Sequence, residues 1–153
     1  MRSTFVGSLL LGIGTIGMMD GILFHQILQW HSIYMHTDRF NQIVSDGLFH
    51  LFVTIVIFIG AIILWKSDPS DSKNNKFTFL SGIFLGAGFF NLIEGILNHH
   101  ILQIHHVKPG PNQFLYDILF DVAGIIIIII GLFFRNIGSA APKPSRPFLD
   151  DET

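Results

Sequence analysis

Asp20-Gly21-Ile22-Leu23-Phe24-His25-Gln26-Ile27-Leu28-Gln29-Trp30-His31 returns 74 residues later as Glu94-Gly95-Ile96-Leu97-Asn98-His99-His100-Ile101-Leu102-Gln103-Ile104-His105. Eight of the twelve positions are identical, and a ninth exchanges one acid for the other. Shared Leu and Ile arise readily between apolar helices, but Gly, His, Gln and His in register do not. Upstream, Gly12 and Gly14 align with Gly86 and Gly88; downstream, Asp46-Gly47-Leu48-Phe49-His50 aligns with Asp117-Ile118-Leu119-Phe120-Asp121. The chain therefore reads as a two-helix hairpin used twice, residues 1–74 and 75–136, followed by a tail at 137–153.

The surroundings of the motif are those of a membrane protein. Of 153 residues half are apolar, 13% are charged and 16 are Phe, whereas a soluble domain carries about a quarter charged residues. Stretches near Phe5–Leu28, Val44–Trp65, Phe77–Leu102 and Phe114–Phe134 each approach the roughly 20 residues that a spanning helix needs. The first is too long and too polar, with Asp20, for a cleaved signal peptide, and no small-residue cleavage site follows it. Between the spans lie Asp/Ser/Lys/Asn-rich and Lys108-Pro109-Gly110-Pro111 breakers. The Pro-rich end, finishing in Asp150-Asp151-Glu152, reads as a disordered, solvated tail. The absence of cysteine excludes disulfides, thiolate metal sites and cysteine nucleophiles. Nine basic residues at a net charge of -2 leave no nucleic-acid footprint.

Seven of the nine basic residues fall in the N-terminus, the middle loop and the tail, and two (Arg39, Lys108) in the other loops. The positive-inside rule then places both termini in the cytoplasm. With two spans per unit, the copies share one orientation and should be related by a pseudo-two-fold axis along the membrane normal. The expected fold is an all-α, integral membrane four-helix bundle, N-in and C-in, in an inner (cytoplasmic) membrane, with the lipid bilayer as its first partner. A homo-oligomer or a respiratory membrane complex is the further company expected.

Ionisable residues inside a membrane mark functional interior sites by default. Depth, counted at about 1.5 Å per helical residue, sorts them into an outer tier of His25, Asp46, His99 and Asp117 and an inner tier of Asp20, His50, Glu94 and Asp121. Asp46 and His50 share a helix face at i,i+4, as do Asp117 and Asp121. Asp20 and His25, five apart, diverge by about 140° on an α-helix; they share a face only if the backbone is overwound or carries a π-bulge, for which Gly21 and Gly95 are suitable places. Imidazole with carboxylate is the ligand set of zinc, copper(II), iron and manganese, and facing helices of four-helix bundles hold such sites. The eight residues are therefore candidate ligands of a divalent transition metal (zinc, copper or iron), with Glu94 a candidate acid/base. His31 and His105, nearer the outer loops, enter as additional ligands because the duplication pairs them. His36, His100 and His106 read as rim residues.

The string Gly12-Ile13-Gly14-Thr15-Ile16-Gly17 lies in an apolar helix, so it reads as small-residue packing rather than a dinucleotide loop. Through the doubled Asp/Glu-Gly-Ile-Leu-x-His motif and Asp46-x-x-x-His50, the chain resembles an uncharacterised family of predicted four-span bacterial membrane proteins, over about Gly7 to Phe134. The resemblance implies four spans and a bacterial membrane and carries no activity. Three other readings stand beside the metal protein: a b-type haem held by His25 and His99, a small proton or metal transporter, and an assembly subunit whose polar network only pairs helices.

Overall fold

Apolar helices in lipid have no hydrophobic reason to prefer one another, so small residues that admit a neighbouring backbone decide the packing. The computed structural model describes residues 2–67 and 72–140. It contains four long helices and, among the described residues, no strand: α1 (Arg2–Asp20), α2 (Arg39–Trp65), α3 (Ser72–Glu94) and α4 (Gln113–Ala140). All four are long and apolar enough to cross a membrane. Helix α4 runs on through the first residues of the expected tail; the remainder of that tail, 141–153, lies outside the described residues.

Helices α1 and α3 form the central pair, α2 packs on α1, and α4 packs on α3; among the described residues α2 and α4 share no contact. The central crossing is built on Gly12 and Gly86. A methyl group at Gly12 would collide with the carbonyl of Ile83, and one at Gly86 with the carbonyl of Leu9. Gly14 and Gly88 admit the backbones of α2 and α4 in the same way, against Val53 and Ile57 on one side and Gly124 and Ile128 on the other. Large apolar side chains mostly point outward, as Phe52 and Phe58 of α2 and Ile126 and Phe133 of α4 do. Among the described residues the buried hydrophobic side chains are Val53, Leu85 and Val107 alone. The interior is thus made of glycines at one end and polar groups at the other.

The polar end begins where α1 and α3 change pitch. α1 continues without a break into a π-helical segment, Gly21–Ile27, and α3 into Gly95–Ile101. Hydrogen bonds of the i→i+5 type widen the turn, so residues five apart stack on one face. Both segments start at a glycine pressed by a side chain of the flanking helix, Gly21 by the His50 ring and Gly95 by the Asp121 carboxylate. Each then ends in a left-handed residue, Gln29 (φ 50°) and Gln103 (φ 49°), a conformation that helix ends usually assign to Gly. That turn reverses the chain, and the following strands of loop fold back under the helix ends. Trp30 N–H donates to Phe24 O at 2.9 Å and Ile104 N–H to Asn98 O at 3.1 Å, the same bond at the same 74-residue interval.

A substitution pair tests the glycine packing. Gly12→Ala should lower thermal stability, by about 1–3 kcal/mol, because backbone must move to admit the methyl group. Gly47→Ala, with nothing within 4 Å of the added carbon, should leave stability unchanged or raise it by up to about 1 kcal/mol through helix propensity. Thermal melts of the two variants in one detergent read the contrast.

Candidate metal centre

The wide turn brings Asp20 and His25 together, with Oδ2 and Nε2 3.3 Å apart. Its partner does the same for Glu94 and His99, at 3.4 Å between Oε1 and Nε2. The reversed loops supply a third group to each: Asp20, His25 and His31 offer ligand atoms within 4.8 Å of one another, and so do Glu94, His99 and His105. All six residues are buried, and none of the four His is more than 4% exposed. The two triads lie side by side. His31 and His105 stack in parallel with centroids 4.6 Å apart, His25 lies 4.5 Å from His31, and His99 4.9 Å from His105.

What orients the rings is the nitrogen that faces away. His31 Nδ1 lies 2.8 Å from Val107 O, and His105 Nδ1 lies 2.9 Å from Ile33 O. A carbonyl only accepts, so both Nδ1 atoms carry hydrogen and both Nε2 atoms of the neutral rings present lone pairs. His25 Nδ1 donates to Asp46 Oδ1 at 2.9 Å, and Ile33 N–H donates to the same oxygen at 2.8 Å. Asp117 Oδ1 takes the N–H of Val107 at 2.9 Å and stands 3.6 Å from His99 Nδ1, while its Oδ2 accepts from His106. Asp46 therefore fixes the His25 ring from outside its triad, in the manner of carboxylates that back metal-bound histidines, whereas Asp117 fixes the His106–Val107 loop and stands beyond hydrogen-bond distance of His99.

The lone pairs have no hydrogen to meet. His105 Nε2 stands 2.9 Å from Glu94 Oε1, an acceptor facing an acceptor unless a proton or cation lies between them. Within the triads His25 Nε2, both ring nitrogens of His99 and Glu94 Oε2 are buried without a hydrogen-bond partner, as are His50 Nε2, Ser81 Oγ, Asn91 Oδ1 and Asp121 Oδ1 outside them. Ligands at about 2.0–2.1 Å from a shared tetrahedral ion stand roughly 3.3–3.4 Å apart, which is the Asp20–His25 and Glu94–His99 spacing. Both triads could hold a divalent ion by donor type and by the spacing of these two pairs.

The candidate residues separate accordingly. Asp20, His25, Glu94 and His99 converge with His31 and His105, which the sequence pattern had set nearer the rim. Asp46 and Asp117 take the supporting position just described. His50 and Asp121 stand outside both triads: His50 Nδ1 donates to Asp46 O at 2.8 Å, and Asp121 Oδ2 accepts from His100 Nε2 at 2.8 Å. They share the helix face of Asp46 and Asp117, but one turn deeper that face meets Gly21 and Gly95, which have no side chain to complete a site. The signal for His31 and His105 was the repeated Gln-x-His; counting residues outward along a straight helix missed the left-handed reversal at Gln29 and Gln103.

The chain belongs to the family described as "Predicted membrane protein (DUF2243)", which matches residues 7–137. No curated protein and no solved structure matches it.

His31 lies in the loop beyond α1, and burial first, then the neighbouring His105 and His25, push its pKa down to about 3. The folded chain thus keeps this ring neutral and its lone pair free at neutral pH. An unfolded His takes a proton near pH 6.5. Between about 6.5 and 3 the proton favours the unfolded chain, so this group lowers stability progressively as pH falls and has no effect above about 7. In chelator-treated protein, the loss of melting temperature from pH 7 to pH 5 should be smaller in His31→Gln than in the parent; an equal loss would mean that the ring is not held neutral.

Proposed function

We propose that this chain is a membrane metal protein that holds two divalent transition ions side by side in the outer half of its bundle, one in each triad of a carboxylate and two histidines. The observation that carries this reading is the locked Nδ1–H of His31 and His105, which leaves His105 Nε2 facing the buried Glu94 carboxylate while His31 stands grouped with Asp20 and His25. An oxygen and nitrogen donor set without sulfur suits zinc, iron or copper(II). Paired ions would supply Lewis-acid or redox chemistry to a substrate beside them; the chain's own residues hold the rings, keep out water and set the spacing.

The other readings fit less well. A haem between His25 and His99 needs the interval between those rings, and His31 and His105 fill it. A proton path needs titratable groups along the bundle, whereas the buried polar groups in the other half of α1 and α3 include Ser8 and Ser81, which do not titrate near neutral pH. A network built only to pair helices would close its own hydrogen bonds, and this one leaves buried nitrogens and oxygens unpaired.

The two triads are read as copies in one duplicated hairpin, N-in and C-in, within a bacterial inner membrane. Reciprocal bonds support the duplication, since His31 reaches Val107 and His105 reaches Ile33; the two histidines stand 74 residues apart, and so do their two acceptors. The concentration of basic residues on one side supports the orientation.

Elemental analysis of protein purified from metal-supplemented cells should find close to two ions per chain. His31→Ala and His105→Ala should each lose about half or more of that content, and His36→Ala, which alters an exposed loop contact to Gln103 O, should lose none. Equal content in all four proteins, or none in the parent, would overturn the centre. For orientation, cysteines placed at Thr37 and Pro109 should react with an impermeant thiol reagent outside intact cells, and one at Asn74 should not; the opposite pattern would invert the chain.

A further inference from the structure

Ile33 and Val107 occupy matching positions in the two loops, 74 residues apart. Ile33 N–H donates to Asp46 Oδ1 at 2.8 Å, and Val107 N–H donates to Asp117 Oδ1 at 2.9 Å. The acceptor stands 13 residues further on in the first half and 10 in the second. A loop that merely needed some acceptor for its N–H would have no reason to meet the same one across a change of length. Both carboxylates are buried, and an N–H bond to a carboxylate is among the stronger hydrogen bonds.

What these bonds hold in place is the carbonyl of the same residue. Ile33 O accepts from His105 Nδ1, and Val107 O accepts from His31 Nδ1. His105 belongs to the second triad and His31 to the first, so the support is crossed. Asp117 lies on α4 beside the second triad, but its Oδ1 is 3.6 Å from His99 Nδ1, beyond hydrogen-bond distance. Its bonds run instead to His106 and to Val107, and through Val107 to His31 of the first triad. Asp46, on α2, accepts from His25 of the first triad and, through Ile33, also holds His105 of the second.

The geometry points to Asp46 and Asp117 as crossed positioning residues: each fixes, through one loop residue, the loop histidine of the opposite triad. Loss of Asp117 then harms the first ion site more than the second, although the residue lies beside the second. Loss of Asp46 harms both. This deepens the metal-centre reading and rests on it. A carboxylate acting by its charge on the nearer ion would give the opposite order for Asp117.

The full chain in detergent is titrated with Co(II) against a competing chelator, and the visible spectrum of the bound ion is read together with the affinity. His99→Ala leaves the first triad as the site measured, and His25→Ala leaves the second. Asp117→Ala should weaken Co(II) binding by roughly tenfold or more in the His99→Ala protein, and by less in the His25→Ala protein. Asp46→Ala should weaken binding by a similar factor in the His25→Ala protein, where its bond to His25 is already gone and only Ile33 remains. Asn keeps the accepting oxygen in place without the charge; Glu keeps the charge and displaces the oxygen. Asp117→Asn should therefore retain most of the affinity and the Co(II) spectrum of the first triad, and Asp117→Glu should not. These two variants carry the test where the Ala variant folds poorly. An equal loss in both proteins, a loss confined to the second triad, no loss at the second triad on replacing Asp46, or better retention with Glu than with Asn would overturn the crossed support. If the parent takes up no Co(II), the centre falls and the crossing with it; if Co(II) binds and the crossed losses are absent, the centre stands without it.

Discussion

In a bilayer no water reaches a buried polar group, so each must find its partner within the protein. An imidazole makes that demand twice, once at each nitrogen. The polar end of this molecule is organised around meeting it on the Nδ1 side and leaving Nε2 turned inward. Two carbonyls and one carboxylate take Nδ1–H of His31, His105 and His25. Those acceptors come from the opposite loop or the flanking helix, so holding a ring in place also ties the two halves together. His31 reaches across to the loop that carries His105, and His105 reaches back. The same bonds that set the tautomers are therefore also tertiary contacts at this end of the bundle, beside the aromatic rings of Phe49 and Phe120 that pack on His25 and His99.

The glycines serve that arrangement from below. Close approach of α1 to α3 at Gly12 and Gly86 brings their continuations near enough for rings to touch. The wide turns at Gly21–Ile27 and Gly95–Ile101 then rotate His25 and His99 onto the face of Asp20 and Glu94. A regular α-helix would carry each imidazole about 140° away from its carboxylate, to the side or toward lipid. Replacing one i→i+4 turn by a π turn costs little in backbone hydrogen bonding and realigns two ligands at once, which is why such turns recur at functional sites.

Much of this was legible in the sequence. Four apolar runs of spanning length, polar breakers and eight identities in twelve residues at one interval were enough for an all-helical bundle with a polar end. The five-residue spacing of Asp20 and His25 made sense only with an overwound or bulged turn at Gly21, and the helix widens there. The assignment of His50 and Asp121 to the converging set followed from i,i+4 spacing, which is sound for the helix carrying them but says nothing about what the opposing helix offers. At that depth it offers a glycine, so the His50 ring lies against backbone. His31 and His105 entered only as additions because a left-handed Gln leaves no mark in composition or periodicity. Chain reversal at such a residue depends on tertiary bonds, here the loop-to-loop contacts that the histidines themselves make.

Differences between matched positions of the two hairpins carry as much information as the identities. The triad groups agree: acid, histidine and histidine in each, with an Asp from the flanking helix behind them. The groups that differ stand one step outside. His106 takes the place of Ser32 and donates to Asp117, and His100 with Asp121 takes the place of Gln26 with His50. Asn98 and Ile104 take the place of the stacked Phe24 and Trp30. The first triad is walled by aromatic rings, whereas Glu94 of the second stands among the residues that line an apolar cleft. Two similar ion sites with dissimilar surroundings would differ in access and in the polarity of what sits beside them, not in what they bind.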